Sequence, residues 1–450
     1  MAKVIKTKKG LDIRMAGAAA KEYGQVSQGE LIGFNPDDFY GMTPKPIAKV
    51  GDKVKVGTVL FVDKKNPSFK VVSPVSGELK AINRGERRKI LDFVVQNDFK
   101  ATKEALQPVN WNGSVEEIKA GLSEAGMFAF FKQRPYDVVA NPDETPRAIF
   151  ISAFDKAPLA PDMNFILSGE AANFQAAINV LAKIAPVYVG VDKNATWAAS
   201  LQNAEVTCFE GSYPVSNVGV QINQVAPINR GEMVWTVTPQ EVVIIGRYVA
   251  KGQLDFSKTV ALVGECAAKP QYYKVTMGAS VASLTHANIS NGVTTRIIAG
   301  NPLSGAQTTA QSWLNPLVSQ VTVLPEGTDT HELLGWIMPR LGMFSVSGSF
   351  LSGMCACLRN KMTFNFDTRL LGGERHMIMS GEYDKVFPMD IYPEFLIKAI
   401  IAGDIDKMEA LGIYEVAPED FAAAEFVCSS KVELQKIVRK GLDLLRKEMC

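Results

Sequence analysis

Histidine and cysteine are scarce, with three His and six Cys among 450 residues. His286, His331 and His376 stand apart, none with a second His or a Cys three or four positions away, so no local zinc motif can be assembled. Cys208, Cys266, Cys355, Cys357, Cys428 and Cys450 are too few and too irregularly spaced for a disulfide framework, and they fit a reducing compartment. Cys355 and Cys357 are the one close thiol pair. In an uncharged segment they read as small buried hydrophobes rather than half a tetrahedral metal site. Neither sign of charge is in excess: 48 Lys plus Arg face 47 Asp plus Glu, which excludes a dedicated nucleic-acid binder.

Long apolar runs are also missing. One uncharged stretch, Leu341 to Leu358, holds seven Ser or Gly among 18 residues, too polar for a good membrane span. It reads as buried or interfacial, so any membrane association is expected through partner subunits. The opening MAKVIKTKKGLDIRM has no apolar signal-peptide core, and secretion by that route is not expected. No G-x-S-x-G, P-loop, S-x-x-K, H-E-x-x-H or G-x-G-x-x-G occurs. Hydrolase, kinase and dinucleotide readings have nothing to rest on.

What is present is ordinary globular material, 47% apolar and 21% charged, in a chain long enough for several cores. Period-2 apolar runs broken by Gly and Pro fill Val50 to Ile82 and predict short strands in tight hairpins. The signatures at Val50 to Gly57 and Ser73 to Gly77 resemble those of biotinyl and lipoyl carrier domains. Lys64 and Lys65 lie near the place of the modifiable lysine in such carriers. The tip is lengthened by Asn66 and Pro67 and lacks the carrier tripeptides, which favours a scaffold over a working carrier.

From about Trp111 to Arg247 helices alternate with buried strands, predicting an α/β layer. Helices are expected at Val115 to Leu122, capped by Ser114, and at Ala171 to Ile184. Strands are expected at Asp137 to Ala140, Ala148 to Ile151, Val187 to Val191 and Glu241 to Ile245. A strand at Thr259 to Val263, another at Tyr272 to Val275 and a helix start near Ser280 resemble the soluble-ligand-binding β-grasp module. The tail predicts helices at Pro393 to Ala402, Asp404 to Leu411, Pro418 to Phe426 and Lys431 to Lys447, with Leu434, Val438, Leu442 and Leu445 on one face of the last.

Two Pro- and Gly-punctuated stretches, Gly33 to Pro46 and Gly126 to Tyr136, are dense in aromatics. Phe34, Phe39, Tyr40, Phe131, Arg134 and Tyr136 are the candidate site residues, because flat rings beside a cation suit a flat ligand with carbonyl acceptors, such as a quinone. Plain core packing accounts for the same rings.

The order of these units, with KTKKGLDIRMAGAA (Lys6 to Ala19), IFISAFDKAPLAPD (Ile149 to Asp162) and KTVALVGE (Lys258 to Glu265), resembles the A subunits of the bacterial Na+-translocating NADH:quinone reductases along the whole chain. More distantly it resembles the C subunit of the Rnf complex and the flavin-bearing NADH-binding subunit of complex I. The resemblance implies an N-terminal segment (1–35), a biotinyl/lipoyl-like barrel (36–98), a Rossmann-like α/β domain (99–255), a β-grasp domain (256–335) and a C-terminal helical domain (336–450). It implies a peripheral subunit on the cytoplasmic face of the inner membrane. Integral partners of a six-subunit complex would hold it there, with the membrane-embedded B and flavin-bearing C subunits nearest.

FAD, FMN, riboflavin and 2Fe-2S centres would then sit in partner subunits, with NADH as donor and a quinone as acceptor. In the distant relatives a Gly-rich turn after an I-K-x-G-L helix holds a flavin phosphate. Here Ile118 to Leu122 is followed by SEAGMFAFFKQRP, whose Phe side chains obstruct close backbone approach. His376 to Asp390 has no Cys, and Ala417 to Ser430 has only Cys428, too few thiolates for a cluster. No catalytic residue, metal or bound cofactor is expected in this chain. The competing expectation is a flavin or iron-sulfur electron carrier of the Rnf or complex-I kind.

Overall fold

The first 34 residues contribute one strand to each of three sheets, always at an edge. The computed structural model describes residues 3–449 except 28, 291, 329–339, 341, 347–349, 351–352 and 354–360. Lys3–Lys6 adds in parallel to the outside of a seven-stranded sheet, Ala20–Gly24 to the outside of a six-stranded sheet, and Leu31–Phe34 to a four-stranded sheet. The segment 1–35 is thereby tied to all three of these sheets. Strands of four or five residues have little core of their own and satisfy their backbone groups by extending sheets already present.

Two antiparallel sheets make the barrel. One runs Leu31–Phe34, Ile90–Asn97, Gly77–Arg84, Lys53–Val54; the other runs Pro44–Pro46, Val59–Asp63, Lys70–Val72. The apolar alternation read from the sequence turns Phe61, Leu79, Phe93 and Val95 inward, and a register shift between Val59 and Phe61 leaves Leu60 buried as well. At Gly77 an added Cβ would lie 1.7 Å from the Gln96 carbonyl oxygen, so only glycine fits that crossing. Lys64 and Lys65 are exposed, but the tip beside them is tied down: Asn66 Nδ2 donates to Asn141 Oδ1 at 2.5 Å and Asp143 Oδ2 at 2.8 Å.

The seven-stranded sheet runs Lys3–Lys6, Glu205–Glu210, Val187–Val191, Ala148–Ser152, Val234–Thr236, Lys132–Arg134, Val138–Val139. The first five strands are parallel and the last two antiparallel. Helix α1, Val115–Glu124, starts at Ser114, whose hydroxyl accepts from the Glu117 N–H at 3.2 Å. Helix α2 spans Met163–Ile166 and α3 spans Ala171–Ile184. Helix α4 spans Val218–Val225.

One expected strand is a helix. Glu241 to Ile245 lies inside α5, Pro239–Lys251, which opens with Pro at its first position and closes at Gly252 with φ +64°. The run Val242-Val243-Ile244-Ile245 reads as a strand because α5 is buried on several sides and shows no polar face there. Gly246 is the point where α5 meets α3, since a Cβ would stand 1.7 Å from the Asn173 carbonyl oxygen.

The six-stranded sheet runs Ala306–Thr308, Thr295–Ala299, Gln320–Pro325, Ser257–Val263, Gln271–Thr276, Ala20–Gly24. The pair Ser257–Val263 and Gln271–Thr276 is antiparallel, and the helix expected near Ser280 is a single turn, α6 at Ala282–Thr285.

Helices α7 (Glu382–Val386), α8 (Pro393–Ala402), α9 (Ile405–Ala410), α10 (Ala422–Val427) and α11 (Leu434–Met449) form the C-terminal unit. Leu434, Val438, Leu442 and Leu445 of α11 are fully buried. The helix expected over Pro418 to Phe426 is a 3-10 turn, Pro418–Phe421, running into α10. His331, Cys355, Cys357, Cys450 and much of Leu341 to Leu358 lie outside the described residues.

Candidate functional site

The six candidate residues fall into three environments. Phe34 and Phe39 are 3% and 2% exposed and belong to the barrel core. Their ring centroids are 6.4 Å apart, and Phe39 meets Phe61 and Phe69 edge-on at 6.1 and 6.2 Å. Phe131 is fully buried at the end of the turn after α1, with its ring 5.6 Å from both Phe128 and Trp235. Trp235 sits on the strand Val234–Thr236 and meets Phe128 edge-on at 5.4 Å. The stretch Met127 to Phe131 is buried throughout, and Gly126 faces Val72 of the barrel, where a Cβ would stand 2.8 Å away. The turn after α1 is thus packed with side chains against two sheets.

Tyr40, Arg134 and Tyr136 are brought together at a seam between the barrel, the α/β layer and the C-terminal helices. Arg134 is 1% exposed. Its Nη1 lies 3.1 Å from Asp420 Oδ2, its Nη2 2.9 Å from Glu419 Oε1 and its Nε 3.8 Å from Asp137 Oδ1. Asp420 Oδ2 also accepts the Ala417 N–H at 2.8 Å, and Asn217 Nδ2 donates to the Glu419 carbonyl oxygen at 3.0 Å. Burial pushes the Asp420 carboxyl up, and the attraction of Arg134 offsets this only in part. Burial acts the same way on Asp137, but Lys132, Arg134 and Arg439 together hold it below the ordinary carboxylate range. An arginine among three acids stays charged and makes the ion pair the seam is built on.

Arg439 of α11 completes the seam. Its Nη2 donates to the Tyr136 carbonyl oxygen at 2.6 Å, its Nη1 to that of Asp137 at 3.3 Å, and its Nε to Asp443 Oδ1 at 3.0 Å. Its guanidinium lies 4.5 Å from the centroid of the Tyr40 ring, and the Tyr40 hydroxyl donates to Asp443 Oδ2 at 2.7 Å. Burial, more than the bond to Asp443, raises the Tyr40 hydroxyl above its usual range. Tyr40 is 43% exposed, while Tyr136 is 9% exposed and held at φ +80°.

Sequence reasoning passed over Trp235, Glu419, Asp420, Arg439 and Asp443. Trp235 carried a signal, as a Trp in an apolar strand. The acids did not: Asp420 stands 286 residues from Arg134, and no local pattern marks such a pair. Among the described residues no group of three or more His, Cys, Asp or Glu could hold a metal ion, and no helix is long and apolar enough to cross a membrane.

Three family models match the chain: the NqrA N-terminal barrel-sandwich hybrid domain over residues 5–98, the NqrA second alpha/beta domain over 114–254 and the NQRA C-terminal domain over 259–310. The A subunit of the Na(+)-translocating NADH-quinone reductase of Pasteurella multocida is 34% identical over 99% of this chain and 100% of its own length. Its counterpart in Neisseria meningitidis serogroup B is 34% identical, and that in Yersinia pseudotuberculosis 35%, with the same coverage. Among solved structures, an NAD+-reducing [NiFe]-hydrogenase in its H2-reduced state shares 48% of each chain at 12% identity and a TM-score of 0.34, too remote to bear on fold or function. With relatives at this identity matched from end to end, the chain belongs to the family of Na(+)-translocating NADH-quinone reductase A subunits.

Proposed function

We propose that this chain is the A subunit of a complex that couples NADH oxidation and quinone reduction to Na+ export, and that its own part is structural. The match at 34% identity along the full length of a relative carrying that description supports the reading. In it, flavins (FAD, FMN, riboflavin) and a 2Fe-2S centre reside in other subunits. This chain sits on the cytoplasmic face of the inner membrane against integral partners, the B and C subunits nearest. Trp235, Phe128 and Phe131 pack the space after α1 where the distant flavoprotein relatives hold a phosphate. We further read the barrel as biotinyl/lipoyl-like, the α/β layer as Rossmann-like and the six-stranded sheet as a β-grasp unit.

Quinone contact in this chain narrows to Tyr40. It is the exposed member of the six, whereas Phe34, Phe39 and Phe131 are sealed in cores and Arg134 is engaged by acids. The Tyr40 hydroxyl, turning from Asp443, would donate to a quinone carbonyl, with Arg439, itself anchored on the Tyr136 carbonyl oxygen, holding the ring in place.

Affinity purification from native membranes tests the whole reading. Flavin-bearing integral subunits should copurify, and reconstituted vesicles should take up Na+ when given NADH. Bands near 450 nm in the purified chain itself would instead favour the electron-carrier alternative. For the quinone contact, Tyr40→Phe should raise the quinone KM several-fold, and an unaltered KM and inhibitor response would remove it.

A further inference from the structure

Of the 17 large apolar side chains exposed among the described residues, eight fall between residues 362 and 401, so the apolar surface is concentrated on the C-terminal unit. Three of them share one face of α8. Tyr392 precedes the helix, and Phe395, Lys398 and Ile401 follow at three-residue spacing, all exposed. The opposite face is buried: Leu396, Ile397, Ala399 and Ile400 point inward, and Ile400 packs against Gly441 of α11. The Tyr392 and Phe395 rings meet edge-on at 6.2 Å.

A second stretch extends this face. The N–H groups of Ser380 and Gly381 donate to Glu394 Oε1 at 3.1 and 2.8 Å, which lays Ile378 and Met379 beside the start of α8. Ile378 is 59% exposed, Met379 44%, Tyr392 68%, Phe395 54% and Ile401 59%. Five large apolar side chains left this open on one anchored surface are what a covered interface looks like when its partner is absent.

Charge decides what covers it. Lys385 is paired with Glu382 at 2.6 Å and Lys407 with Asp404 at 2.7 Å. Exposed Glu374 and Arg375 offset each other in charge, which leaves exposed Asp384, Asp390 and Asp406 against one exposed cation of the helix stripe, Lys398. An acidic rim is repelled by an anionic lipid surface, and a two-fold contact between copies would set these acids against one another. We propose that this face is the seat of another polypeptide of the complex, a protein surface with an apolar ridge and a Lys- or Arg-bearing rim. The proposal rests on the multi-subunit reading above.

The test uses the assembled complex purified through a tag on one of the integral partners, carrying either Phe395→Glu with Ile401→Glu or, as a control at an exposed apolar residue of the barrel, Val50→Glu. All three chains should melt alike, because the substituted side chains point to solvent. The double variant should fall at least tenfold in retention, the control should be retained, and Asp390→Lys with Asp406→Lys should lose several-fold. Unaltered retention of the double variant would overturn the proposal, as would equal binding of the native chain to protein-free vesicles of anionic phospholipid. A native dimer that the double variant dissolves would also overturn it, in favour of a second copy. If the native chain fails to copurify at all, the function reading falls rather than this face.

Discussion

The barrel core and the Arg134 seam both draw on the same two aromatic stretches, yet they are held together by opposite physics. In the barrel, Phe39, Phe61, Phe69 and Phe93 stack and tilt against one another with centroids 4.5 to 6.2 Å apart, and no polar group is needed among them. At the seam a buried guanidinium is matched to Asp420, Glu419 and Asp137. Losing a ring leaves a cavity, which neighbours partly fill. Losing Arg134 leaves the Asp420 carboxylate, fully buried, without its cation. One region is therefore tolerant of shape change, and the other of almost nothing.

Substitutions can separate these two behaviours. Arg134→Met should have the largest effect, a loss of about 3–5 kcal/mol in urea unfolding, because it strands the fully buried Asp420. Asp420→Asn alone should also destabilise, and the Arg134→Met/Asp420→Asn pair should cost much less than the sum of the two, since the charges disappear together. Additive losses would mean the seam is packed rather than paired. In the barrel, Phe39→Ala should cost about 3 kcal/mol and Phe39→Leu about 1 kcal/mol. Each should add to Phe131→Ala within a few tenths, because the two rings share no ring contact: Phe39 meets Phe61 and Phe69, and Phe131 meets Phe128 and Trp235.

Asp38 sharpens the comparison through pH. It lies where the barrel meets the six-stranded sheet's loop, accepting from Asn315 Nδ2 at 2.9 Å, and burial pushes its carboxyl up to about 7. Between about pH 4 and pH 7 the folded chain keeps a proton that the unfolded chain has lost, so stability falls as pH rises across that window. Asp38→Asn should abolish this slope and leave the protein on the order of 2 kcal/mol more stable at pH 8, measured by denaturant midpoints. A slope unaffected by the substitution would place the titration elsewhere. The smallest effect belongs to Tyr40→Phe, about 0.5–1 kcal/mol, since its hydroxyl and Asp443 are both half open to water.

Much of the architecture was legible. The Gly- and Pro-punctuated alternation marked the barrel strands, and the caps at Ser114 and Pro393 marked helix starts. The α5 strand expectation failed because a short, uniformly apolar, β-branched run has no period to read, and only the docking of Gly246 on α3 shows it to be a helix. The candidate site was legible as residue types and illegible as arrangement. Phe131 and Arg134 are three positions apart, yet one is packed on Trp235 and the other is engaged with acids almost 300 residues away.

The sequence by itself determined the family, the division into strand-rich and helix-rich stretches and the inward faces of elements such as α11, because periodicity and local motifs are carried by neighbours along the chain. Only the tertiary structure decided that the first three strands serve three different sheets, that Arg134 is a buried clamp rather than an open donor, and that Tyr40 alone of its group meets solvent. Those outcomes depend on which distant groups share a low-dielectric space, and chain order does not record that distance.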